Sequence, residues 1–530
     1  MVEYLRLFEN EADYKNARLN DYYEPWVSAT KLSDGDPSPS YMEYLRLFEN
    51  GVDYDEVASP SYMEYLRLFE NGVDYDTEMS NDDYNPLVLA TNLGEAANTS
   101  HRVNYNKSVY EKLLETPLTF EITSDGNIVW KTGNSAYITT LEYSINDSEW
   151  SGITSNTGSS APSISVVSGD TIQFRGNNDT YATSNTVYNS FGGTAEFNIK
   201  GNIMSLIDSE NFITATTLTK ERTFFGLFSG CTSLMDASQL VLPASNLTST
   251  CYASMFRECR NLKKAPELMA TTLANFCYQG MFRNCVNLAS APSTLPALVA
   301  PKSCYQNMFT CGTTLTEAPE LPATTLGESC YDGMFQFCTN LARASKKLPA
   351  TILPTRCYAN MFQNTKITSA PEILASDFGS KSCQSMFIGC KSLTTAIMVG
   401  TCGATMAESA CTQMFQNCTS LTTAPSILPA TTLAERCYYQ MFKGCTSLTT
   451  APELPATTLV SSCYYQMFHI CSRLNYIKAM FTTTPGSSYT NGWVIGVAST
   501  GTFVKNSAAT WDVTGASGIP TGWTVQTAAS

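Results

Sequence analysis

Histidine is nearly missing from this 530-residue chain, which carries His101 and His469 and no other. Two imidazoles leave little for general acid or base work near neutral pH. The sequence also lacks a Gly-x-Ser-x-Gly elbow, a phosphate-binding glycine loop followed by lysine, and a His-Glu-x-x-His helix. Those absences remove the commonest hydrolase, nucleotide and zinc-peptidase chemistries. Carboxylate pairs such as Asp53 with Asp55 and Asp82 with Asp83 sit in polar sequence and read as solvated charge, not as a glycosidase pair or a calcium loop. No run of about 18 apolar residues is present to cross a membrane. The opening Met1-Val2-Glu3-Tyr4-Leu5-Arg6 lacks a basic stretch, an apolar stretch and a small-residue cleavage site, so maturation in the cytoplasm of the producing cell is expected. Cysteine is absent before Cys231 and numbers 19 from there on. An odd count in a cytoplasmic product argues against a disulfide framework, and the Cys-x-x-Cys spacing of a zinc site does not occur. The chain is therefore read as a non-enzyme with no cofactor and no metal.

Charge is distributed as unevenly as cysteine. Residues 1–100 hold 21 Asp plus Glu against 6 Lys plus Arg, a net of −15, while the remainder balances at 26 acidic and 26 basic. An acidic arm is repelled by nucleic acid and by anionic membrane, so neither is expected as a partner. A neutral or basic protein surface is.

The arm is built on a repeated peptide. Eighteen residues at Ser38–Asp55 recur at Ser59–Asp76, and their core Glu-Tyr-Leu-Arg-Leu-Phe-Glu-Asn also opens the chain at Glu3–Asn10. The intervening segments are rich in Ser, Pro, Asp and Gly and too poor in apolar residues to form a core. Tyr4, Leu5, Arg6, Leu7 and Phe8, repeated as Tyr44, Leu45, Arg46, Leu47 and Phe48 and as Tyr65, Leu66, Arg67, Leu68 and Phe69, therefore have nothing local to bury their large apolar groups. They are the candidate partner-binding residues. As a strand the peptide would add an edge to a partner's sheet; as a helix it would lay Tyr4, Leu7 and Phe8 in a groove. Gly51 and Gly72 follow the second and third copies and favour a short element ending there; of the two forms the strand is preferred. The 13 residues between Asn50 and Glu64 span up to about 45 Å when extended, enough to reach neighbouring subunits of an assembly. Three equivalent sites on one chain convert weak contacts into lasting attachment. Their destination is either the subunits of a shell or sister chains of a homo-oligomer.

From Leu118 the pattern turns to strands. Leu118, Phe120 and Ile122 alternate with polar residues. Further runs at 128–130, 137–145, 164–167, 172–174 and 197–199 are separated by Asp125-Gly126, Gly133-Asn134, Ser168-Gly169-Asp170 and Gly192-Gly193. Spacing of this kind predicts a small β-sandwich of immunoglobulin type over about 116–203. Beyond it, phenylalanines at 228, 256, 282, 309, 335, 362, 387, 415, 442 and 468 recur every 25 to 28 residues. A fixed period of that size means a solenoid, here of about ten units. In the unit beginning Cys437-Tyr438-Tyr439-Gln440-Met441-Phe442, the stretch from Cys437 to Cys445 is expected to form a helical turn or two with Met441 and Phe442 inward. Leu448–Ala451 is expected as a short strand ended by Pro452.

The period, the Phe-x-x-Cys-x-x-Leu signature and the Leu-Pro-Ala-x-x-Leu return resemble the BspA-like class of leucine-rich repeat over about 203–480. The segments Trp493–Phe503 and Ile519–Val525 are similar to the C-terminal cap of such proteins from gut Bacteroidales and their phages. Leu7-Phe8-Glu9 with Tyr14 resembles segments near the N-termini of fibre and structural proteins of crAss-like phages of Bacteroidales. These resemblances imply a fold of four parts: an extended acidic arm (1–100), an immunoglobulin-like β-sandwich adaptor (101–203), an α/β leucine-rich-repeat solenoid (204–480) and a β cap (481–530). They imply a virion protein, a head fibre or decoration protein on the capsid surface. Its arm would grip the major capsid protein or another virion protein, and its repeats would face a host glycan or protein. A bacterial BspA-like surface adhesin is the alternative.

Within the repeats, paired cysteines such as Cys251 with Cys259 and Cys463 with Cys471 are expected to form columns of buried thiols. Thr365 stands where a pair member is due, which suits packing and not ligation. The strand face, with Lys263-Lys264, Ala289-Ser290, Thr316-Glu317, Ala342-Arg343, Thr422-Thr423 and Thr449-Thr450, is expected to be exposed, small and polar. The repeating tyrosines 252, 278, 305, 331, 358, 438 and 464 are expected to pack as a ridge, and would bind glycans or proteins if exposed.

Overall fold

The computed structural model describes residues 102–134, 136–158, 161–396 and 405–528. The helical composition around Tyr110 gives a helix, Arg102–Glu115. Eight strands follow: β1 Leu118–Ile122, β2 Gly126–Thr132, β3 Thr140–Ile145, β4 Ser151–Thr154, β5 Ser163–Val166, β6 Thr171–Arg175, β7 Asn189–Gly193 and β8 Phe197–Asn202. All their pairings are antiparallel, in the orders β4-β3-β6-β1-β8 and β5-β2-β7. An immunoglobulin constant-type domain divides seven strands four and three; here eight divide five and three. The larger sheet also continues past β8. It takes β9, Leu234–Val241, in parallel from the first repeat, so the specific immunoglobulin assignment is replaced by a two-sheet β domain fused to the solenoid.

Two strands escape the sequence reading. In β4 only Ile153 is buried, too few apolar residues to announce a strand. β7 ends in the Gly192-Gly193 pair expected as a turn. Gly193 belongs to the strand: its φ of +134° favours glycine, and a Cβ there would run into the Asn127 carbonyl of β2.

Beyond β9 each unit is one coil. The stretch expected as helical turns is not a helix, and among the described residues no α-helix lies in 204–480. Its inward residues, for example Cys330, Tyr331, Met334, Phe335 and Cys338, are all buried. They repeat every four positions, a spacing that over nine residues imitates the 3.6-residue helix period. The backbone settles the matter with a left-handed residue at every fourth position, as in Ser329, Gly333 and Phe337 or Arg436, Gln440 and Gly444. All ten units carry such a triplet. Left-handed residues cannot occur inside a right-handed helix, and the Gly and Asn that fill many of these positions are the residues that tolerate them.

Hydrogen bonding alternates along this stretch. Tyr331, Gly333 and Phe335 donate their N–H groups to Cys357, Ala359 and Met361 of the next coil, while Asp332, Met334 and Gln336 donate three residues back within their own coil. Five such inter-coil bonds link each coil to its successor, and every one runs from the earlier coil to the later. On the opposite side Leu448–Ala451 is not a strand of several residues. It contributes a single parallel bridge, Thr450 to Tyr476, as Lys264 does to Ser290 and Glu317 to Arg343, because the Ala-Pro that follows removes the next donor.

Identical coils place identical side chains in columns. Neighbouring phenylalanines from Phe228 to Phe468 stack with centroids 5.3–5.9 Å apart and planes within 13°. Each offset stack adds about 0.5–1.5 kcal/mol beyond burial. The column begins in the β domain, where Phe191 stacks on Phe228 at 5.5 Å. It ends on Trp493, 6.1 Å from Phe468.

The two ends are closed differently. Tyr181 and Phe191 of the β domain donate N–H groups to the Thr223 and Leu227 carbonyls of the first coil. At the far end a parallel sheet of Tyr476–Ala479, Thr502–Lys505 and Thr524–Thr527 covers the last repeat. Trp493, Trp511 and Trp523 are buried there with their indole N–H groups on the carbonyls of Gly518, Phe481 and Ala498.

Candidate functional site

The arm residues singled out from sequence, 4–8, 44–48 and 65–69, lie outside the described residues. The remaining candidates all fall on the solenoid, and their geometry separates structural columns from available surface.

The thiols are structural. Cys259, Cys285, Cys338, Cys390, Cys418, Cys445 and Cys471 each donate Sγ–H to the carbonyl of the preceding unit's column phenylalanine, at 3.0–3.1 Å. Burial pushes Cys277, Cys330, Cys338, Cys437 and Cys471 up to about 12, so they remain neutral thiols. Thr365 fills the vacant column position by donating its hydroxyl to the Phe362 carbonyl at 2.9 Å. Among the described residues no group of three or more His, Cys, Asp or Glu is placed to hold a metal ion.

The column tyrosines are equally unavailable. Tyr252, Tyr278, Tyr305, Tyr331 and Tyr358 stack at 5.4–5.9 Å and are fully buried. The hydroxyls of Tyr252, Tyr305, Tyr358 and Tyr464 have no hydrogen-bond partner among the described groups, and desolvation holds their pKa values far above the ordinary range. Glycan or protein recognition by these rings is ruled out by their position. The column is interrupted in units seven and eight, where Cys383 and Cys411 replace tyrosine; a hydrogen bond to Cys383, then burial, holds the Cys411 thiol up.

Two faces reach solvent. The strand face is small and polar as expected, with Ala342 half-buried and the other named residues exposed. It is crossed by ion pairs between coils, Arg343 with Glu317 at 2.6 Å and Lys478 with Glu453 at 2.9 Å. Such exposed pairs contribute about 0–1 kcal/mol.

The turn face is richer. Its outward positions carry amide ladders: Gln279 to Gln306 at 2.8 Å, Gln336 to Gln363 at 2.6 Å, and Gln413 through Gln440 to Gln466 at 2.9 and 2.8 Å. At its centre Asp332, nearly buried, accepts from Arg356 at 2.9 Å and from Asn360 at 3.0 Å. Towards the C-terminal end, Tyr439 and Tyr465 follow the column tyrosines and face outward. Their rings stack at 4.7 Å with planes 4° apart, and both are half-buried, unlike the column rings beside them. Lys443 donates to Gln466 Oε1 at 2.9 Å, and desolvation and the Lys443 charge lower the pKa of His469. Sequence reasoning passed over this pair. The signal was the doubled tyrosine of Cys-Tyr-Tyr-Gln-Met-Phe, present in units nine and ten alone.

No known protein family matches the chain, and none of the curated proteins is similar to it. Solved structures similar to it include a leucine rich cell surface protein from Faecalibacterium prausnitzii A2-165, 15% identical over 49% of this chain and 82% of that one, with a TM-score of 0.21. A leucine-rich repeat protein from Bacteroides ovatus is likewise 15% identical, over 52% of this chain and 83% of that one, with a TM-score of 0.18.

Proposed function

We propose that this chain is a non-enzymatic phage virion protein, a capsid-attached head fibre or decoration protein. Its repeated N-terminal peptides anchor it to the shell, and its solenoid is presented to the host surface. The observation that carries the reading is the arm: three copies of Glu-Tyr-Leu-Arg-Leu-Phe-Glu-Asn on a segment that holds the whole net charge of −15. A peptide with four large apolar groups and no core of its own docks on something, and three copies suit a partner that repeats. The solenoid supports the other half of the reading, because its ten coils spend their aromatic and thiol side chains internally and leave two long polar faces free for contact.

Deleting residues 1–80 tests the anchor. Virions made with the truncated chain should lack it while the solenoid still folds; normal incorporation would overturn the reading. Replacing Phe8, Phe48 and Phe69 by Ala one at a time should weaken attachment in graded steps. The Phe-x-x-Cys-x-x-Leu signature favours a second reading, a bacterial surface adhesin of the BspA-like class. Fractionation separates the two: a virion protein sediments with particles, an adhesin with the cell envelope.

A further inference from the structure

We propose that the turn face of units nine and ten is a saccharide site, and that it selects acidic sugars. The proposal rests on the host-facing half of the function above and names the ligand class for it.

Four observations converge on this place. The first is the Tyr439–Tyr465 stack, the one pair of outward-facing tyrosines among the described repeats. Pyranose rings dock on aromatic faces because their axial C–H edges are apolar, and the ends of this stack are not covered by further rings: the matching position is Thr412 in unit eight and Asn491 in the cap. The second is amide density. Gln413, Gln440 and Gln466 are already ordered by their own ladder, as side chains that recognise vicinal hydroxyls need to be. Beside them the shielded Gln416 Oε1 and His469 Nδ1 atoms have no hydrogen-bond partner among the described groups, and a buried polar atom left so is costly unless something pairs with it.

The third observation is charge. Lys443 meets only a neutral amide, and Arg436, beside Tyr439, has its carboxylate partner Glu435 no nearer than 3.7 Å. Lys443 is free to engage an anion, and Arg436 has only that long ion pair to exchange for one. The fourth is backbone direction. All inter-coil bonds of the turn face point the same way, N–H groups toward the C-terminal end, so their dipoles add as they do in a helix, and the positive end lies on the C-terminal side of units nine and ten, at the cap coil that follows them. An acidic sugar satisfies all four features; a neutral one uses only the first two.

Calorimetric titration of the full chain with oligogalacturonate, with a sulfated dextran oligomer and with neutral maltohexaose tests the proposal. Oligogalacturonate should bind at least tenfold more tightly than maltohexaose. Tyr439→Thr, which copies the residue of the neighbouring unit and so preserves the fold, should lower that affinity about tenfold. Lys443→Gln should remove most of the acidic preference, lowering oligogalacturonate affinity severalfold more than maltohexaose affinity. Stronger binding of the sulfated oligomer, lost in the same variants, keeps the acidic-sugar site but assigns it to sulfate. Equal binding of acidic and neutral oligomers, or full affinity in the Tyr439→Thr/Tyr465→Thr double variant, would overturn the site. Adhesion of the double variant to host cells at the wild-type level would also overturn it while leaving the wider adhesion reading standing.

Discussion

The β domain and the solenoid both bury large aromatic cores, yet the rings meet in different ways. In the β domain Phe120 lies tilted at 54° against Phe174 and edge-on at 69° against Phe191, while Trp130 and Tyr181 cross at 76°. In the solenoid no two neighbouring column phenylalanines differ by more than 13°. The first core is solved once: Phe120 alone meets its neighbours tilted, edge-on and, at Phe197, stacked within 3°, with rings drawn from both sheets. The second is solved by translation: any ring angle that suits one coil suits the next. The lesson is that the two parts fail differently, since damage to a fitted core is shared by everything around it, whereas damage to a translated core is passed only to adjacent coils.

Alkali should expose this difference most strongly. An unfolded cysteine loses its proton near about 8.5, whereas Cys277, Cys330, Cys338, Cys437 and Cys471 keep theirs to about 12. Above the lower value the unfolded chain binds fewer protons than the folded one. Stability is therefore whole below pH 8.5 and falls as pH rises towards 12, by about 1.4 kcal/mol per unit for each thiol. Near-ultraviolet circular dichroism should show the solenoid unfolding well before pH 12. Hydrogen exchange should show the cysteine-free β domain keeping its protection to higher pH.

Next in size are the cores themselves. Phe335→Ala and Phe120→Ala should each cost about 3–5 kcal/mol. Exchange protection should fall only in coils flanking unit five in the first variant and throughout the β domain in the second; uniform loss in both would break the comparison. Asp332→Ala, which strands Arg356 and Asn360, should cost about 1.5–3 kcal/mol by denaturant titration. The smallest effect is expected at Gly444, where alanine adds a left-handed strain of about 1–2 kcal/mol and a contact with the Asn417 side chain. Gly193→Ala should lower the melting temperature further, because there the obstacle is the Asn127 carbonyl of a paired strand.

Much of this fold is readable in the chain, for reasons that differ by region. The repeat period, the inward Met and Phe, the thiol columns and the polar strand face follow from what recurs, and recurrence needs no knowledge of distant contacts. The helix expected between the paired cysteines fails because a four-residue turn period and a 3.6-residue helix period are indistinguishable over nine positions. The distinguishing mark was the Gly or Asn at positions such as Gly333, Asn364 and Gly444, which accept left-handed backbone. β7 is missed because its Gly193 answers to Asn127, 66 positions away in sequence. The Tyr439–Tyr465 pair was legible as a doubled letter, but whether a tyrosine in this ridge faces in or out depends on a single residue step around the coil.

One-way hydrogen bonding along its turn face gives the solenoid the character of a polar filament on that side. Its first coil presents carbonyls that need donors, and its last presents N–H groups that need acceptors. The closing parts answer in kind: Tyr181 and Phe191 supply donors at one end, and the cap carbonyls of Ser488, Tyr489, Asn491, Trp493 and Ile495 accept from Ser462, Tyr464, Gln466, Phe468 and Ile470 at the other. The two terminators are therefore not interchangeable, and neither end can mate with a copy of itself. A coil inserted or lost anywhere between them leaves both junctions chemically unchanged, so length can vary freely while direction cannot.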